Sequence, residues 1–182
     1  MNYRDFLGTV LSDQGAYCIV GLKENSPTKQ VFLDSFDDID AQVRRLLGKD
    51  YNIYFGCAKY GKMGKRIKEN ALFFKSLFMD LDVDPNDPKK FDSKQQALEE
   101  LVEFCNKIEI AQPGVVDSGN GFHCYWAFDK TISRHEWKAL AERLKALCKD
   151  NQFRADPAVT ADEARILRLP GTLNFKRTPY LQ

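Results

Sequence analysis

Ala71-Leu-Phe-Phe-Lys-Ser-Leu-Phe-Met-Asp80-Leu-Asp82-Val83 is a long apolar run that ends among aspartates. Its length and its aromatic content predict a buried β-strand. Side chains alternate along a strand, so Asp80 and Asp82 project from one face, roughly 6–7 Å apart. Two carboxylates held that close are costly unless a cation neutralises them, and hard oxygen ligands select Mg²⁺ or Mn²⁺. Asp84 has the same parity and is a reserve ligand, but Pro85 starts a turn after it.

Upstream, Ala16–Leu22 and Gln30–Leu33 read as strands around an Asn25-Ser26-Pro27 turn. Ser35 caps a predicted helix running to Gly48, and Tyr51–Ala58 reads as a strand. Lys59–Asn70 then reads as a Gly- and Lys-rich loop. Downstream, Ser93 opens a helix with Gln96 in the capping-box position and a stripe of Ala97, Leu101, Phe104, Cys105 and Ile108. Pro113–Asp117 and Phe122–Phe128 form a hairpin around Ser118-Gly119-Asn120-Gly121. Ser133 and Glu136 start a helix facing Trp137, Leu140, Leu144 and Leu147 to the core, and Thr160 caps a short helix through Ala164. The pattern is α+β with an antiparallel component.

The 182 residues carry a net charge of +1, with 43% hydrophobic and 29% charged residues, enough to bury a real core in one domain. No apolar run reaches the ~18 residues of a membrane helix, and Arg4 and Asp5 interrupt the first segment, so it is no secretory signal. Near-neutrality excludes a nucleic-acid binder that works by bulk charge. The five cysteines (Cys18, Cys57, Cys105, Cys124, Cys148) lie at least 19 residues apart. They read as reduced core thiols rather than a zinc site.

Three further constellations carry chemistry. The hairpin Ser118-Gly-Asn-Gly121-Phe-His123-Cys-Tyr-Trp126 alternates so that His123 and Tyr125 share a face. Phe122, Cys124 and Trp126 then pack inward, which leaves His123 on the open face of the sheet. Arg154-Ala-Asp156-Pro is followed by Arg165 and by Arg168-Leu-Pro-Gly-Thr-Leu-Asn174-Phe-Lys176. Arginine forks and a lysine point charge suit a triphosphate, and the Pro-Gly-Thr turn fixes their geometry better than a solvated tail would. Lys59, Lys62, Lys65, Arg66 and Lys68 have no acidic residue among them and could track a phosphodiester backbone.

In order, these segments resemble the archaeo-eukaryotic primase superfamily, in particular the primase-polymerases of phages, plasmids and other mobile elements. Phe78-Met-Asp80-Leu-Asp82 is similar to its strand-terminal DxD. Ser118–Trp126 is similar to its small-residue-x-His turn and strand. Asp156 is similar to its third, strand-borne acid, and Arg168–Lys176 to its Arg-x-Pro-Gly-Thr-x-Asn-x-Lys segment. The likeness spans about residues 50 to 178. It departs at Gly121, where many members have serine; that role passes to Ser118 or to the backbone.

The resemblance implies an α+β core with an RRM-like antiparallel sheet and flanking helices. A smaller N-terminal α/β module (about 1–50) would pack on the catalytic sheet (about 51–182) within one catalytic domain. It implies a template-dependent nucleotidyltransferase, a DNA primase or polymerase working by two-metal-ion phosphoryl transfer. Asp80, Asp82 and Asp156 would hold two Mg²⁺ or Mn²⁺ ions. His123, Arg168 and Lys176 would grip a dNTP or NTP, with Asn174 near the sugar or phosphates and Arg165 and Ser118 as weaker contacts. The expected partners are single-stranded or primed DNA and nucleoside triphosphates, in the cytoplasm of a prokaryotic or phage-infected cell. Such cores are often fused to a helicase or a helical initiation domain, and the chain's end just past the last motif reads as a cut from a longer protein. A catalytically silent nucleic-acid-binding domain of the same fold and a metal-dependent nuclease are the alternatives.

Overall fold

Ser35 begins the first long helix as its sequence predicts: its hydroxyl accepts the Asp38 N–H at 3.2 Å, and α2 (Phe36–Leu47) buries Ile39, Val43 and Leu46. Asp37 and Asp38 sit in its first turn and Arg44 and Arg45 in its last, each favourable to the helix dipole. The computed structural model describes residues 2–62 and 64–175. Lys176, expected in the triphosphate grip, lies outside the described residues.

Two compact units make up the chain. The first comprises Met1–Lys75, Asp129–Arg134 and Glu163–Gln182. Its antiparallel sheet has the order β2-β1-β3-β8, built from β1 (Tyr17–Leu22), β2 (Lys29–Leu33), β3 (Asn52–Gly56) and β8 (Ile166–Arg168). The register places Tyr54 opposite Arg168, so residues more than a hundred positions apart become cross-strand neighbours. Val20, Ile39 and Ile53 are fully buried in this unit. A helix that the sequence pattern did not predict, α1 (Tyr3–Val10), is capped by Asn2 and buries Phe6, Leu7 and Val10.

The second unit comprises Ser76–Phe128 and His135–Asp162. The second sheet has the order β4-β5-β7-β6, from β4 (Lys59–Tyr60), β5 (Ala71–Asp82), β6 (Gly114–Asp117) and β7 (Gly121–Ser133); β4, the first residues of β5 and the last of β7 are counted in the first unit. Two helices belong here, α3 (Lys94–Lys107) and α4 (Arg134–Asp150), the latter from His135 onward. Trp137 is fully buried, stacks on Phe78 with ring centroids 5.3 Å apart, and donates its indole N–H to the Ser76 carbonyl at 2.8 Å. Phe104 of α3 stacks on Phe153 at 4.4 Å. Truncating a ring buried in this way typically costs about 3–5 kcal/mol.

The structure corrects three local readings. The α4 core face is Trp137, Ala141, Leu144 and Cys148, while Leu140 is 45% exposed. A smaller residue at 141 and a thiol at 148 complete the i, i+4, i+7 spacing that the leucines alone suggested otherwise. Lys59–Asn70 is not one loop, since it contributes β4 and a 3₁₀ turn at Lys68–Asn70. Thr160 does not open a helix; it ends α5 (Pro157–Thr160), which Asp156 caps. Among the described residues no helix is long and apolar enough to cross a membrane.

Candidate active site

The alternation predicted for β5 holds at its end. Met79 and Leu81 are fully buried, whereas the Asp80 and Asp82 side chains keep 20% and 43% of their surface. The two carboxylates therefore share the wetter face of the strand. Asp82 has the Lys90 ammonium 3.7 Å away.

His123 is brought to Asp80, with Nε2 3.8 Å from Oδ1. The expected parity is kept, because the His123 and Tyr125 rings meet edge to face at 6.5 Å. The expected open face is not: His123 is only 6% exposed, and every residue from Gly121 to Trp126 is buried, apart from the turn before them. Both faces of β7 are covered over this stretch, so the alternation that sorts side chains onto two faces does not sort them into buried and exposed.

Gly121 explains the departure from serine. A Cβ there would lie 1.8 Å from the Leu81 carbonyl oxygen, so only glycine lets the hairpin lie against the aspartate strand. Next to it, the Asn120 carbonyl accepts the Val83 N–H at 2.8 Å. At the hairpin tip Gly119 has φ +99°, and its N–H reaches Asp117 Oδ1 at 2.8 Å. Ser118 donates its backbone N–H to Gly121 O at 3.0 Å, while its hydroxyl makes no hydrogen bond among the described residues.

Asp156 is not strand-borne. It is the N-cap of α5, with Oδ1 accepting the Ala158 N–H at 2.8 Å, and Asp-Pro is a helix-start signature present in the sequence itself. Its backbone N–H donates to the Asp80 carbonyl at 3.1 Å, so the third acid does adjoin the first. The donor chemistry of Asp80, Asp82 and Asp156 fits a hard divalent cation. Their placement does not gather them, since among the described residues no three histidine, cysteine or acidic side chains form a group able to hold a metal ion. Capping takes one Asp156 oxygen, and a carboxylate has a second with its own lone pairs. The neighbouring Arg154 is structural: it binds Glu100 at 2.5 Å and the Lys90 carbonyl at 2.9 Å, and lies over Phe91.

The other expected phosphate ligands belong to the first unit. Arg168 is half-buried, with Nη1 donating to Asn52 Oδ1 at 3.1 Å and Nη2 to the Tyr54 hydroxyl at 3.2 Å. Burial holds its pKa below the ordinary arginine value. Asn174 is buried at 5% exposure, and Thr172 donates to the Leu169 carbonyl at 2.6 Å to close the Pro-Gly-Thr turn. Arg165 is not on a helix; its carbonyl accepts the Cys57 N–H at 2.9 Å. Asn52 and Tyr54 were not singled out from the sequence, and nothing local marks them, because their partner is more than a hundred residues away.

The basic segment divides. Lys62, Lys65 and Lys68 are exposed, whereas Arg66 donates to the Ala164 carbonyl and to Gln30. Lys59 is 1% exposed with its ammonium 3.1 Å from the Tyr17 ring centroid, so it cannot belong to a surface that meets a phosphate backbone. Burial pushes its pKa down to about 8, against the pull of Asp34 and Asp13.

No family model matches the chain, and no curated protein does. A solved structure similar to it is the AEP domain of the primase-polymerase (PrimPol) of cyanophage S-2L, at 16% identity over 89% of this chain and 76% of that one, with a TM-score of 0.63. At that identity the likeness is one of architecture: the chain has the mixed α+β fold of a phage primase-polymerase AEP domain.

Proposed function

We propose that the protein is a template-dependent nucleotidyltransferase, a DNA primase or polymerase that joins nucleotides and releases pyrophosphate during replication of a phage, plasmid or other mobile element. The observation that carries this reading is Asp80 as a hub. Its carboxylate faces His123 Nε2 at 3.8 Å, its carbonyl takes the Asp156 N–H at 3.1 Å, and Asp82 shares its face of the strand. The fold shared with a cyanophage primase-polymerase supports it.

In this reading a 3′-oxygen attacks the α-phosphorus of a nucleoside triphosphate, and the bond to pyrophosphate breaks. Asp80, Asp82 and Asp156 would have to draw together from their present placement to hold divalent cations, Mg²⁺ or Mn²⁺, with Asp82 giving up the Lys90 ammonium in exchange. A bound cation neutralises charge on the triphosphate and on the leaving pyrophosphate. His123, buried beside Asp80, contacts the phosphates; Arg168 and Asn174 add to the binding, as would Arg165 and Lys176. Exposed Lys62, Lys65 and Lys68 contact the template backbone.

The test is extension of a primed DNA template with dNTPs and Mn²⁺ or Mg²⁺, alongside Asp80→Ala and Asp82→Ala. Extension by the wild type alone supports the reading. Cleavage without nucleotides would point to a nuclease, and tight but inert DNA binding to a catalytically silent domain.

A further inference from the structure

Arg168 is a charged group with neutral company. Both of its side-chain hydrogen-bond acceptors are uncharged, the Asn52 amide oxygen and the Tyr54 hydroxyl, and its Cζ lies 5.1 Å from the Tyr54 ring centroid. Among the described residues it makes no ion pair. A half-buried cation whose neighbours orient it without neutralising it is a receptor prepared for an anion.

Asn52 does two jobs with one atom. Its Oδ1 accepts from Arg168 Nη1 at 3.1 Å and also from the Phe175 backbone N–H at 3.0 Å, while the residue itself is only 5% exposed. The same amide oxygen therefore sets the guanidinium and fixes the backbone seven residues further on, beyond the Pro-Gly-Thr turn.

We propose that Asn52, assisted by Tyr54, is the positioning residue that holds Arg168 as a phosphate receptor, and that the phosphates are those of a nucleoside triphosphate. The identity of the ligand rests on the function proposed above; the positioning does not. Asparagine is required because its oxygen orients the guanidinium and carries no charge to compete with phosphate. Aspartate would keep both accepted hydrogen bonds and lose that neutrality.

Asn52→Asp is the deciding variant. The full chain is titrated with a fluorescent nucleoside triphosphate and, separately, with inorganic pyrophosphate, and each variant's Tm is recorded. Asn52→Asp is expected to keep the wild-type Tm and to lose about tenfold or more in affinity for both probes, because a carboxylate at hydrogen-bond distance occupies the fork. Tyr54→Phe, which removes only the hydroxyl, is expected to lose about threefold. In primer extension the loss falls on KM for the nucleotide, with kcat within about twofold. If Asn52→Asp binds both probes like the wild type, Asn52 is a purely structural residue and the proposal is overturned. Wild-type protein that binds neither probe overturns it equally. Binding of pyrophosphate that depends on Asn52, in a protein that extends no primer, keeps the positioning role and removes the polymerase reading.

Discussion

The Asp80 end of β5 and the Arg168 strand β8 each hold charge of one sign, and they tolerate it in opposite ways. Around Asp80 the like charges stay partly wet, with side-chain exposures of 20% and 43%, and Lys90 stands 3.7 Å from Asp82. The Lys90 ammonium is a loose partner for Asp82, so a stronger counter-ion can displace it at little cost. Around Arg168 the single charge is half-buried and wrapped by an amide and a phenol that fix its direction. The first region is arranged for exchange and the second for preorganisation. The nucleotidyl transfer proposed above has use for both.

The largest effect that would break this contrast lies at Gly121. Gly121→Ala puts a methyl into the Leu81 carbonyl, and a loss of about 4 kcal/mol or more is expected from denaturant titration, because two backbones must separate. A stable Gly121→Ala protein would mean that the hairpin does not lie against the aspartate strand. Next comes Asp156→Asn. Asparagine caps as well as aspartate, so the melting temperature should hold while extension falls about 100-fold, the scale of a disturbed metal-site partner. Unchanged extension would reduce Asp156 to a cap and leave the carboxylate region with two members.

Lys59 sharpens the comparison, since it is a second buried cation of the Arg168 unit but faces a ring instead of oxygens. Its pKa falls from the ordinary 10.5 to about 8. Between those values the unfolded chain holds a proton that the native protein has released, so the Lys59 contribution to native stability rises with pH from about 8, by at most about 1.4 kcal/mol per unit. The buried thiols, held protonated by folding, pull the other way as pH approaches about 9, so the readout is a difference. In urea titrations from about pH 7.5 to about 9.5 the wild type should gain on Lys59→Met, and parallel curves would refute it. The smallest effect is on template affinity. Replacing Lys62, Lys65 and Lys68 by glutamine should lower the salt slope by roughly one for each phosphate those lysines neutralise, whereas Lys59→Met should leave it alone. A slope untouched by the triple change returns those lysines to solvent.

What the sequence made legible follows from the range of the interactions. Ser35 and Ser93 cap their helices within three residues, and the Ser118–Gly121 turn pairs strands that are neighbours in the chain, so local chemistry specified all three. The Asp80–Asp82 parity was legible because strand alternation is geometric. The burial of His123 was not, since it depends on what covers each face of β7, and no spacing within β7 encodes that. The roles of Asn52 and Tyr54 are set by the pairing of β3 with β8, across more than a hundred residues. The α5 cap is written locally as well: Asp156-Pro157 outranks Thr160 as a helix start once proline is placed at N1.

The five thiols have a practical consequence. All are buried, and burial lifts the Cys18 and Cys148 pKa values to about 12 and raises those of Cys105 and Cys124. Only the thiolate reacts with alkylating dyes, so the folded protein is silent toward them at neutral pH. A cysteine introduced at an exposed position such as Leu140, on the outer face of α4, becomes the single reactive handle. The native cysteines can then all stay in place while a fluorophore reads out the binding titrations set out above.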